Sequence, residues 1–185
     1  MLDQVYEDTQ ERMGKAVEVL RRDLGHLRTG KATPALLDGV VVEAYGTKMP
    51  LNQVATIGAP EARLLTVQPF DASQIGAIEK ALLASDLGIT PNSDGNLIRL
   101  PIPALNEERR KEYVKLARKH GEEAKVAIRN VRRDANDTLK KAESDGDVSE
   151  DDARRGLEKV QKLTDDYVAK VDQVLESKEK EIMEV

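Results

Sequence analysis

Apolar residues recur at helical spacing along two long parts of the chain. In the first, Leu2, Val5 with Tyr6, Met13, Val17, Leu20, Leu24 and Leu27 line one face, and the spacing predicts a helix that stops near Gly30. A second helix is predicted from Asn106, a residue suited to N-capping. Glu107 and Glu108 complement the dipole in its first turn, and it continues to about Glu143. Its seam is Tyr113, Leu116, Ala117, Ala124, Ile128, Val131, Ala135 and Leu139, with Val114 and Val126 falling off that face. Asp145-Gly146-Asp147 breaks the pattern, and Ser149 with Asp152 resembles a capping box for a third helix. That helix repeats Ala153, Leu157, Val160, Leu163, Tyr167, Val171, Val174 and Ile182 as a near-heptad seam. At 1.5 Å per residue such helices are roughly 40 to 55 Å long. None can bury its stripe alone, so the pattern predicts an elongated antiparallel bundle of three.

Between Gly30 and Leu105 the period changes. Residues 40–45 read as a strand, Gly46-Thr47 as a turn, and 52–57 and 64–67 as further strands. Asp71 is placed to cap a short helix over 73–84, and 96–100 reads as another strand after the turn at Ser93-Asp94-Gly95. All seven prolines lie in this stretch, and only 12 of its 76 residues are charged, against nearly one in two elsewhere. The expectation is an α+β protein in which residues 1–29 and 106–185 form the bundle and 30–105 an inserted small domain. Two chain crossings, at 29–33 and 101–105, tie the insert to its host. Gly30 permits bending in one and Pro101 and Pro103 stiffen the other, which makes them candidate hinges.

Composition narrows the chemistry. Cysteine is absent and only His26 and His120 are present, which leaves no thiolate ligand, no cysteine nucleophile and little material for a histidine metal site or a Ser-His-Asp relay. Five aromatics supply few stacking platforms. No apolar run is long enough to span a bilayer, and the N-terminus resembles neither a signal nor a transit peptide, so the chain reads as an intracellular protein that uses no membrane. No phosphate-binding glycine loop, GxGxxG or HExxH occurs. Asp151-Asp152 and Asp165-Asp166 diverge on a helix and make poor acid/base dyads. No catalytic residue, metal or cofactor is indicated.

The charge is unevenly distributed. The formal net charge is −5, but residues 106–141 carry twelve Lys/Arg against seven Asp/Glu, whereas 142–185 carry seven against fourteen. At 100° per residue Arg110, Lys111, Arg118, Lys125, Arg129, Arg132, Arg133 and Lys140 fall within an arc of about 140°. Arginine suits phosphate because its planar fork donates paired hydrogen bonds and stays charged. Two readings of the stripe stand side by side: a grip on nucleic-acid phosphates, or a solvated face satisfied by the acidic third helix. A helical adaptor protein and a hydrolase with acids converging between the domains are the alternatives from other classes.

Several ordered motifs carry a more specific signal. These are Leu27-Arg28-Thr29-Gly30-Lys31-Ala32-Thr33-Pro34-Ala35-Leu36-Leu37, Tyr45-Gly46-Thr47 with Pro50-Leu51-Asn52-Gln53, Asp94-Gly95 with Ile98-Arg99-Leu100-Pro101-Ile102-Pro103, and residues 126–137 around Arg129-Asn130-Val131-Arg132-Arg133. Together they resemble the ribosome recycling factor family over essentially the whole chain. The resemblance implies an L shape of tRNA size, with the three-helix bundle as one arm and a small α/β-sandwich domain as the other, joined by a flexible elbow. It implies a monomeric, cytoplasmic, non-catalytic translation factor. Such a factor binds the large ribosomal subunit after termination and, with elongation factor G and GTP, separates the subunits. Carried onto this chain, Arg132 is the first choice for a ribosomal RNA contact, with Arg129, Arg133, Arg28 and Arg110 beside it, and Gly30, Lys31, Pro101 and Pro103 belong to the elbow. Lys31 stands where arginine is usual and lacks the bidentate fork; Ala44 and Asn106 also depart from the usual pattern.

Overall fold

The structure, a computed structural model, describes residues 1–27, 29–85 and 87–184. It divides into two compact units, Met1–Leu24 with Val114–Val185, and Gly25–Tyr113.

The first unit is built from α1 (Leu2–Gly25), most of α4 (Glu107–Ser144) and α5 (Glu150–Met183). Side-chain partners fix the helix directions. Arg12 of α1 meets Asp134 of α4 and Asp23 faces His120, so indices rise on one helix as they fall on the other. Lys125 with Asp172 and Arg118 with Glu179 give the same antiparallel register between α4 and α5. Tyr6 lies beneath Lys159, and the position of a side chain at Gly14 faces Tyr167, so α1 and α5 run parallel. The three helices go up, down and up.

On α4 the buried positions are Ala117, Gly121, Ala124, Ile128, Val131, Ala135, Leu139 and Ala142, in steps of three or four as a packed seam requires. Leu116, expected in that seam, is instead 37% exposed, because Ala117 occupies the inward position and its neighbour is turned 100° away. Met13, Leu20, Ile128, Leu139, Val160, Val171 and Ile182 are essentially inaccessible. Burial of a side chain of this size contributes about 1.5–3 kcal/mol. Thr9 and Thr164, also buried, return their hydroxyls to the carbonyls of Val5 and Val160 at 2.7 and 2.8 Å and bring no unmet donor into the core.

Helix ends follow local chemistry. Asn106 accepts from the Arg109 amide at 2.8 Å, and Ser149 accepts from the Asp152 amide at 3.1 Å. Between α4 and α5, the amides of Gly146 and Asp147 donate back to the carbonyls of Glu143 and Ala142, a Schellman closure for which Gly146 adopts φ +78°. The first helix corrects the sequence expectation: α1 ends at Gly25, not near Gly30. Glycine is the weakest ordinary residue in a helix interior, and Leu27 reaches a buried position from outside the helix.

The second unit contains β1 (Val41–Ala44), β2 (Thr47–Pro50), a helical turn α2 (Leu51–Val54), β3 (Ala55–Glu61), β4 (Leu64–Pro69), α3 (Ile75–Ala84), β5 (Asn92–Ser93) and β6 (Ile98–Pro101). β1 and β2 form a hairpin, and the others an antiparallel sheet in the order β3-β4-β6-β5. Alternation on β4 and β6 points Leu65, Val67, Ile98 and Leu100 inward to share a core with Ile78 and Leu82 of α3. The class is α+β. β2, at Thr47–Pro50, is not among the expected strands, β3 and β4 run on past their expected ends, and two strands start later than expected by two residues or more. Leu51 and Val54, both buried, are three apart and fit one helical turn, so β3 starts only at Ala55. The Asp94 carboxylate accepts from the amides of Asn96 and Leu97, which holds 94–97 as a turn and delays β6 to Ile98.

Candidate nucleic-acid interface

The cationic stripe of α4 does not behave as one surface. Towards one end, Arg118 donates to Glu179 of α5 at 2.7 Å, and this bond raises the guanidinium pKa further. Lys125, only 17% exposed, contacts Asp172 at 2.7 Å. For these two residues the acidic third helix does satisfy the basic second one.

One turn further along the register the pairing stops. Among the described residues, no carboxylate lies within 4 Å of Arg129, Arg132 or Arg133. Arg129 and Arg133 are exposed, and Arg132 is partly so. Two neighbours explain how three guanidiniums stay uncommitted. Asp134, adjacent in sequence, is turned to α1 and held by Arg12 at 2.8 Å. Opposite Arg132, α5 presents Gln161, whose Oε1 accepts from Arg132 Nη1 at 3.5 Å while its Nε2 donates to Asp165 at 2.9 Å. A neutral amide thus stands between Arg132 and Asp165 of α5. Val126, off the seam in the sequence pattern, is 51% exposed one turn before Arg129 and Asn130.

Of the other sequence candidates, Arg110 sits in the second unit, partly buried, with its Nε unbonded. Arg28 lies outside the described residues. Gly30 adopts φ +81°, which an L side chain rarely tolerates, Lys31 is exposed, and Pro101 and Pro103 are exposed. The role of Gln161 was not legible in the sequence. It depends on the α4–α5 register: Lys125 with Asp172 and Arg118 with Glu179 set Arg132 level with Asp165, and Gln161, one turn away, bonds to both.

No group of His, Asp or Glu among the described residues is arranged to hold a metal ion, and none of the described helices is long and apolar enough to cross a membrane. What the turn offers is hydrogen-bond donors in excess, in the geometry that planar or tetrahedral anions accept.

Comparison with known proteins gives a consistent result. The sequence model of a family described as Ribosome recycling factor matches residues 20–183. The chain is 58% identical to the ribosome-recycling factor of Bacillus subtilis (strain 168) and 57% identical to that of Carboxydothermus hydrogenoformans, in each case over the full length of both chains. Among solved structures it is similar to a solution structure of ribosome recycling factor, with a TM-score of 0.80 and 42% identity, covering all of this chain and 98% of the other. It is also similar to a chain in a structure described as models for the T. thermophilus ribosome recycling factor and the E. coli elongation factor G bound to the E. coli post-termination complex. There the TM-score is 0.69 and the identity 47%, with both chains fully covered.

Proposed function

The chain belongs to the ribosome recycling factor family, a family of translation factors and not of enzymes, and on that premise we propose how it acts. It binds the large subunit of the post-termination ribosome as a monomer in the cytoplasm, with Arg129, Arg132 and Arg133 on ribosomal RNA phosphates. Elongation factor G, hydrolysing GTP, then acts on the bound factor to separate the subunits. The observation that carries this reading is the contrast along α4: Arg118 and Lys125 are spent on α5, while the next turn keeps three guanidiniums unpaired. A factor that only positions and transmits force needs no catalytic group of its own, since the nucleotide's energy enters through the partner.

The elbow belongs to the same proposal. The Ala32 amide donates to the Ala62 carbonyl at 2.7 Å and the Ile102 amide to the Arg63 carbonyl at 2.8 Å, so both crossings are anchored on the β3–β4 turn. On this reading the bending is confined to residues before Ala32, where Gly30 lies, and after Ile102, where Pro103 limits its direction.

Arg132→Ala removes one charge-assisted contact, which is typically about 1.5–3 kcal/mol. Binding to purified large subunits is expected to weaken roughly 10- to 150-fold, with helicity unchanged. Splitting of post-termination ribosomes by the variant with elongation factor G and GTP, followed by light scattering, is expected to fall in parallel. Full binding and full splitting by the variant would remove Arg132 from the interface.

A further inference from the structure

Between α1 and α4, within the first unit, lies a small cavity unconnected with the arginine turn. Its volume is about 160 Å³, and it is lined by Ala16, Val19, Leu20, Ala124 and Ala127, with Asp23, His120 and Glu123 at its polar side. The alanines are the reason it exists: short side chains on facing helices leave room that longer ones fill elsewhere. Val19 beside it is 44% exposed. The polar groups make no close hydrogen bond to one another. His120 Nδ1 is buried and makes no hydrogen bond, and Asp23 Oδ2 at 3.8 Å and Glu123 Oε2 at 3.6 Å stand just beyond hydrogen-bond reach of it. Apart from His120, no cation among the described residues lies within 4 Å of either carboxylate. Apolar walls, two carboxylates and an unmet ring nitrogen make a receptor for a cation with an aliphatic stem.

We propose that this cavity is a second binding site that takes an arginine side chain from a basic protein segment. The guanidinium satisfies Asp23 and Glu123 together, which one point charge does less well. Its methylenes cover Val19, Ala16 and Ala127. The space equals that of about five waters, which suits one long side chain. The two carboxylates repel phosphate, so the groove complements a basic protein, whereas the arginine turn of α4 complements RNA. The inference does not depend on the ribosomal reading, because it concerns other residues and is tested without ribosomes.

The test is an NMR titration of the ¹⁵N-labelled full-length chain with N-acetyl-arginine amide, with N-acetyl-citrulline amide as the neutral isostere and a short RNA hairpin as the competing class. Saturable shifts centred on Val19, Asp23, His120, Glu123 and Ala127 are expected with the arginine compound alone. Asp23→Asn combined with Glu123→Gln, at a half-buried and an exposed position, is expected to raise its Kd at least about tenfold. Ala127→Leu, which fills the cavity while leaving the carboxylates in place, is expected to abolish the shifts. The proposal is overturned if citrulline shifts these amides equally, if the arginine shifts scatter over the acidic face of α5 or do not saturate, if the double variant binds unchanged, or if the RNA perturbs this groove.

Discussion

Asp94 illustrates how a single exposed side chain shapes a turn. Its carboxylate accepts from the amides of Asn96 and Leu97 and from the Arg99 guanidinium, and these bonds lower its pKa to about 2, the two amides contributing most. In the unfolded chain an aspartate titrates near 3.9. The folded pKa is the lower one, so the stabilisation is complete above about pH 4 and is lost as the pH falls through the folded value near 2. Asp94→Asn keeps an oxygen for the two amides but loses the charge that strengthens those bonds, and it places an NH2 where Oδ2 accepts from Arg99. The second unit of the variant is therefore expected to melt below that of the parent at neutral pH, with the gap closing as the pH is brought towards 2. A gap independent of pH in thermal melts would show that the ionised form is not what holds the turn.

Helix packing turns on where side chains are missing. A Cβ at Gly121 would overlap Leu175 Cδ1 and stand 2.9 Å from its Cγ and Cδ2, so Leu175 of α5 packs into the space that the glycine of α4 leaves. Helix propensity alone favours Ala there by about 1 kcal/mol, while overpacking a close contact costs about 1–3 kcal/mol. Gly121→Ala is therefore expected to destabilise the bundle, by up to about 2 kcal/mol in denaturant unfolding. Leu175→Ala in the same chain should remove the penalty of the added methyl. Gly76 of α3, which has nothing within 4 Å of the same position, should respond in the opposite sense, gaining about 0.4–1 kcal/mol as Gly76→Ala. The contrast also marks what the sequence could tell. Periods of three and four placed the bundle core, and capping residues placed the starts of α4 and α5, because both signals are local. Gly121 does not figure in that sequence seam, since its partner is 54 positions away. For the same reason the sequence pattern alone could not separate Arg118, paired across helices, from Arg129, which is not.

For the molecule as a whole the difficulty is that a chain of net charge −5 is proposed to hold a polyanion. The sum is a poor guide, because screening reduces distant charges within about 8–10 Å at ordinary salt and leaves the local field in control. What decides binding is then the number of cations free to displace counterions, not the number present. Each phosphate contact contributes roughly 0.7–0.9 to the slope of log affinity against log salt. Arg129→Ala and Arg133→Ala should each lower that slope by about this amount when binding to large subunits is titrated with salt. Arg118→Ala with Glu179→Ala removes a cation and its own acid partner together, leaves the net charge unchanged, and should leave the slope where it was. A loss of slope in this double variant equal to that of Arg129→Ala would mean that the pair opens on the ribosome, and that the paired and unpaired halves of the α4 stripe act as one surface after all.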